Sequence, residues 1–196
     1  HHILAIPMKK RINHILIALA GILTVSCNAW LDVTPDNAIA DDDLFSTGFG
    51  YRNALNGIYT NLASDELYGK QLSWGFLSAI SQQYNQKVGT ISPMYADASE
   101  LIYNTVDTEP VVTAIWEKGY KVIANLNKLI ENILPTDISL FEYGEEEKKL
   151  IYAEALSLRA MMHFDLLRLF APAPATNPSG TYLPYRDKYE AAVIEK

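Results

Sequence analysis

The sequence has one cysteine, Cys27, in 196 residues, so no disulfide can close within the chain and a small disulfide-stapled scaffold is excluded. Basic residues are also scarce: 16 Lys and Arg against 23 Asp and Glu leave a net charge of −7. The first 26 residues hold Lys9, Lys10 and Arg11 and no acid, so the remaining 170 carry a net −10. A body of that sign repels phosphate backbones, and nucleic acid is set aside as a partner. His163 is the only histidine after residue 26. A histidine-based metal site or acid–base pair therefore lacks neighbouring ligands in the sequence, and His163 is read as packed and hydrogen-bonded. No glycine-rich phosphate loop, nucleophile elbow or HExxH motif occurs. Glu145, Glu146 and Glu147 are adjacent and point in different helical directions, so they do not make the facing carboxylate pair of a glycoside hydrolase. No catalytic residue, cofactor or metal is expected.

What is present fits one ordinary globular domain with a sizeable core, at 49% hydrophobic and 20% charged residues. Residues 1–7 are read as upstream of a start at Met8, and 8–26 as a secretory signal. It has a basic start (Lys9, Lys10, Arg11), an apolar run from Ile15 to Val25, and Ser26 before Cys27. The run is about half the ~20 residues that span a bilayer, which disfavours a transmembrane helix. A small residue followed by a lone cysteine resembles the lipobox of bacterial lipoproteins, with Thr24 where leucine is usual, and makes Cys27 the lipidation site. The alternative is an ordinary secretory signal with an incidental buried cysteine. Multiple acyl chains would hold the protein firmly to a membrane surface.

An extended lead, 27–43, comes next, and its acids Asp41, Asp42 and Asp43 look like a helix start. The spacing of Phe45, Phe49, Leu55, Ile58, Tyr59 and Leu62 predicts a helix from Leu44 to about Leu62, and a second runs from Asp65 to about Gln83. Between Tyr84 and Asp107 the period disappears, leaving a long loop with one helical turn, whose tyrosines mark a candidate binding surface. A helix from about Pro110 to Leu134 carries one apolar stripe, with Asp107 and Thr108 as caps. Another runs from about Gly144 to Phe170 with three acids at its positive end and Pro172 as its stop. Its apolar residues go nearly all round, so it must lie between partners. Ala124 and Ala160 stand 36 positions apart, near the tetratricopeptide period of 34, though at most two repeats are found. The helical body is thus 44–170. The Pro-rich connector 171–196 holds no regular element, and a frame that continues beyond it is expected.

Four stretches taken in order carry a family resemblance. They are Cys27 to Pro35 (CNAWLDVTP), Ala54 to Tyr59 (ALNGIY), Trp116 with Tyr120, Ile123, Ala124 and Asn125-Leu126-Asn127, and Glu154 to Ala160 (EALSLRA) continuing through His163 to Pro172. Together they resemble the SusD/RagB-like outer-membrane lipoproteins that partner TonB-dependent transporters in Gram-negative glycan uptake. Ala171 stands where that family commonly has glycine. The resemblance implies an all-α fold of tetratricopeptide-like hairpins with a long irregular loop, the N-terminal part of a larger SusD-like fold. It implies a non-catalytic, lipid-anchored, surface-exposed protein that captures oligosaccharides, or in some relatives peptides, for a SusC-like TonB-dependent transporter.

Sugar capture of this kind relies on aromatic rings stacked on the apolar face of a pyranose, with polar side chains on the hydroxyls. Trp74, Tyr84, Asn85, Tyr95 and Tyr103 flank or occupy the long loop and are the candidates. The competing reading is that they pin the loop to the scaffold. Trp116, Asn125, Glu154, Arg159, Asp165 and Arg168 belong to the signature and are read as structural. Trp116 is placed in the core, Arg159 in an interhelical ion pair with Glu154 or Glu117 or in carbonyl capping, and Asp165 with Arg168 as a pair along the helix. Two other classes stay open: a helical-repeat scaffold for a protein or peptide partner, and a surface glycosidase.

Overall fold

The computed structural model describes residues 41–83, 92–173, 175–176 and 179–190. The signal, Cys27, most of the extended lead, Tyr84 and Asn85 lie outside these residues. The described chain is helical, with no strand among the described residues.

A short helix α1 (Asp41–Leu44) is followed by α2 (Gly48–Leu62). The single helix predicted from Leu44 is broken because Thr47 takes an extended conformation, φ −139° and ψ 153°, and its Oγ1 accepts the Gly50 N–H at 3.1 Å. A threonine cap of this kind starts a new helix. Tyr51, Leu55, Ile58 and Leu62 form the buried face of α2, at the three- and four-residue steps of an amphipathic helix.

The helix expected from Asp65 to Gln83 shrinks to α3 (Phe76–Ile80), and residues 63–75 wind through turns. Serine and glycine decide this. Ser73 Oγ donates to the Tyr68 and Lys70 carbonyls, Gly69 N–H to the Ser64 carbonyl, and Gly75 N–H to the Lys70 carbonyl at 2.7 Å. These local bonds offer the backbone an alternative to the helical ladder. In the long loop the expected helical turn is present as α4 (Pro93–Ser99), which packs against α3.

Two long helices form the scaffold, α5 (Glu109–Ile133) and α6 (Gly144–Phe170), close to the predicted bounds. They run antiparallel: Trp116 meets Phe170, Gly119 faces Leu166 and Met162, and Asn127 bonds Arg159. The α5 stripe of Ile115, Val122, Ile123, Leu126, Ile130 and Ile133 is buried, as the pattern predicts. Helix α2 packs on both, and its Tyr51 hydroxyl ties to Thr136 Oγ1 at 2.6 Å and the Asn132 carbonyl at 3.0 Å.

The all-round apolar pattern of α6 is covered on one side. Ile151, Ala155, Met162 and Leu166 are buried, while Leu150, Phe164 and Leu167 on the other side are exposed. Trp116, expected in the core, is half-buried, with its ring 4.9 Å from each of Tyr120 and Phe170. It lies near the end of the hairpin, where α6 stops at Phe170.

At Gly119 an added Cβ would stand 3.1 Å from Leu166 Cδ2 and 3.4 Å from Met162 Cε. A branched side chain there requires the ends of Leu166 and Met162 to give way. Gly119→Val is expected to lower unfolding stability by about 1–3 kcal/mol, the usual cost of overpacking, read as a lower urea midpoint. A midpoint equal to that of the parent chain would show that the two helices have slack at this point.

Candidate functional site

The turn-rich stretch before α3 brings Trp74 to the surface. Its indole Nε1 donates to the Gly69 carbonyl at 3.1 Å, and the Lys70 ammonium lies 5.8 Å from the ring centroid. The ring is thereby fixed at one edge while remaining 57% exposed. Such an indole is held without being used in the core. Tyr103, the second exposed candidate, rests its ring 6.0 Å from Phe76, whose helix begins two residues after Trp74. Partial burial pushes its hydroxyl pKa upward, so it stays a neutral hydrogen-bonding group. Tyr95 is half-buried on α4 and packs against the hydrophobic core. Tyr84 and Asn85 lie outside the described residues. Of the five sequence candidates, the structure thus exposes Trp74, two residues before α3, and Tyr103, against Phe76, and turns Tyr95 inward.

The signature residues are occupied with structure. Asp165 accepts from Arg168 Nε at 3.1 Å and from the Tyr68 hydroxyl at 2.5 Å. Burial, helped by the Asp165 carboxylate, holds the Tyr68 pKa well above the ordinary tyrosine value. Glu154 accepts the Tyr59 hydroxyl at 3.0 Å. Asn125 is half-buried on α5. Arg159 pairs with neither Glu154 nor Glu117: its Nη1 donates to Asn127 Oδ1 at 2.8 Å and to the Asp187 carbonyl at 3.1 Å. The antiparallel register places Asn127, not a carboxylate, opposite it, so the carbonyl-capping half of the expectation describes its contacts.

A groove of about 460 Å³ runs between α2 and α6, lined among others by Arg52, Asn56, Tyr59, Tyr143 and Glu154. It was not anticipated from the sequence. Its polar side chains largely engage each other. Arg52 pairs with Glu147, and this bond, with the Tyr143 N–H at 3.0 Å, holds the Glu147 carboxyl below the usual carboxylate range.

The larger omission concerns the connector. Residues 183–190 lie as a strap along the α5–α6 hairpin, held through its main chain and by the Tyr185 ring on His163 and the Tyr189 ring beneath the Lys128 ammonium. Asn127 Nδ2 donates to the Arg186 and Lys188 carbonyls at 3.1 and 3.0 Å, and the Tyr120 hydroxyl to the Pro184 carbonyl at 2.9 Å. In return the Tyr189 N–H reaches Glu131 Oε1 at 2.7 Å and the Arg186 N–H reaches His163 Nε2 at 3.2 Å. One signal could have revealed this: Asn127 sits in the apolar stripe of α5 and is 1% exposed, and a buried amide must find partners.

The sequence profile of the SusD-like family described as "Starch-binding associating with outer membrane" matches residues 29–191. The chain is similar to three proteins of Formosa agariphila. It is 24% identical to SusD-like protein P2 over 85% of this chain and 31% of that one. To SusD-like protein P25 it is 26% identical over 76% of this chain and 28% of the relative, and to SusD-like protein P38 27% identical over 82% and 29%. The chain therefore spans under a third of the length of these relatives. No solved structure matches it.

The matched stretch includes the strap, whose seat is tested through its central amide. Asn127→Ala leaves two strap carbonyls without their donor and Arg159 without its side-chain acceptor. A loss of about 1–3 kcal/mol is expected from unsatisfied buried groups, together with faster tryptic cleavage after Arg186 and Lys188. Unchanged stability and cleavage would show that the strap is held by other means.

Proposed function

The chain belongs to the SusD-like family, and from that membership we propose that it is part of an outer-membrane lipoprotein that captures oligosaccharides and hands them to a SusC-like TonB-dependent transporter. The observation that carries the binding half is Trp74, an indole fixed at its edge by the Gly69 carbonyl and open to solvent. A pyranose stacks its apolar C–H face on such a ring, and a pre-fixed ring loses little entropy on binding. Tyr103, beyond α3, offers a second ring and a neutral hydroxyl. Anchoring is assigned to an acylated Cys27.

The reading is of capture without cleavage. Among the described residues three carboxylates of α6 are already engaged: Asp165 by Arg168 and Tyr68, Glu147 by Arg52, Glu154 by Tyr59. A general acid needs a raised pKa. Glu147 is shifted the other way. A second reading, a helical scaffold for a protein or peptide partner, draws on a different observation, the exposed Leu150, Phe164 and Leu167 of α6.

Two measurements test these assignments. Trp74→Ala is expected to weaken binding of a starch-derived oligosaccharide by about tenfold, ~1.4 kcal/mol, measured by calorimetry, with the helical circular dichroism unchanged because the side chain is mostly exposed. Equal affinity in the variant would remove Trp74 from the site and favour the scaffold reading. Cys27→Ala should move the protein from the membrane to the soluble fraction of its host, and retained membrane association would contradict acylation at this residue.

A further inference from the structure

His163 is buried on α6, and both ring nitrogens are in use. Nε2 accepts the Arg186 N–H at 3.2 Å, so the ring proton sits on Nδ1 and is donated to the Arg159 carbonyl at 3.0 Å. The imidazole is thus neutral, and its tautomer is fixed by the two contacts. Its flat side is covered by the Tyr185 ring, 4.6 Å away. The strap therefore has a titratable acceptor beneath its midpoint, and its main chain is held besides by Tyr120, Asn127, Glu131 and Arg159.

We propose that His163 is a proton-operated latch: when Nε2 takes up a proton it confronts the Arg186 N–H with a second N–H, and residues 183–190 leave the α5–α6 hairpin. A protonated imidazole has two donors and no acceptor, so the bond from Arg186 is abolished by protonation and not merely weakened. The surrounding charges decide how readily this happens. Arg159, one turn earlier on α6, opposes a positive ring, and Asp187 on the strap favours it. The Arg186 guanidinium is turned to Glu190 at 2.7 Å. From α5 the nearest engaged groups are Asn127, bonded to Arg159 and the strap, and Glu131, which receives the Tyr189 N–H.

Burial, reinforced by the charge of Arg159, lowers the pKa of His163 below its ordinary value of 6.5. The sign follows from linkage: a base with a depressed pKa in the docked state binds more protons once released. The docked strap is therefore fully favoured above about pH 6.5 and loses ground as pH falls below it, by at most about tenfold in its equilibrium per pH unit.

The test is an NMR titration of the whole chain from pH 7.5 to 5.0, following the His163 ring nitrogens and the amides of residues 185–189. The expected result is a neutral Nδ1–H ring at pH 7.5, and strap amides that move to unstructured positions with the midpoint of His163 while Val122 and Leu126 stay in place. His163→Gln, which keeps an acceptor that does not titrate, should hold the strap at both ends of the range. Should that variant fail to seat the strap at all, the common midpoint in the parent chain still decides. Strap amides that do not move while His163 titrates, or that move alike in the glutamine variant, would overturn the proposal.

Discussion

Gly119 of α5 faces Leu166 and Met162 of α6, whose side-chain ends would stand 3.1–3.4 Å from an added Cβ, and the hairpin is closely packed at this register. With that register Trp116 lands on Phe170 and Asn127 lands on Arg159. Helix α2 then packs on the two as a third member, through Leu55, Ile58 and Leu62. A buried amide opposite a guanidinium in an otherwise apolar seam would be a cost in isolation. Here the strap completes it, because Arg186, Asp187 and Lys188 supply the carbonyls that Asn127 and Arg159 need. Hairpin and strap are therefore one hydrogen-bonded unit, joined through Asn127 and Arg159.

How much of this the sequence discloses varies with the kind of interaction. Helix α6 is legible to the residue because its ends are written in side chains, with three acids at the start and Pro172 after its end. The α5 stripe is legible because its burial repeats with the helical period. The stretch from Asp65 to Gln83 is misread because its apolar spacing imitates a helix while Ser73, Gly69 and Gly75 redirect the backbone locally. The strap is invisible for another reason: the hydrogen bonds that seat it run through its main chain, which every residue possesses, so no pattern of side chains announces them. The roles of Arg159 and Asn127 become clear only when the register is known.

The candidate site is less legible than the fold. Residue type and loop position nominate Trp74, Tyr95 and Tyr103 alike, yet Tyr95 sits on α4 against the core while Trp74 stands open beside a turn. What separates them is the turn chemistry around Gly69, which ties the indole edge while the residue stays more than half exposed. A fixed aromatic face suits sugar stacking, and it coincides with a family whose description names starch.

The central claim, that the fixed indole receives a sugar, is tested most directly by following the Trp74 indole N–H in a two-dimensional NMR spectrum while a starch-derived oligosaccharide is added. The account predicts a saturable shift of that signal, accompanied by Gly69 and Tyr103, with Asn127 and the strap unmoved. A spectrum in which the oligosaccharide binds and shifts other residues while Trp74 stays still would contradict it.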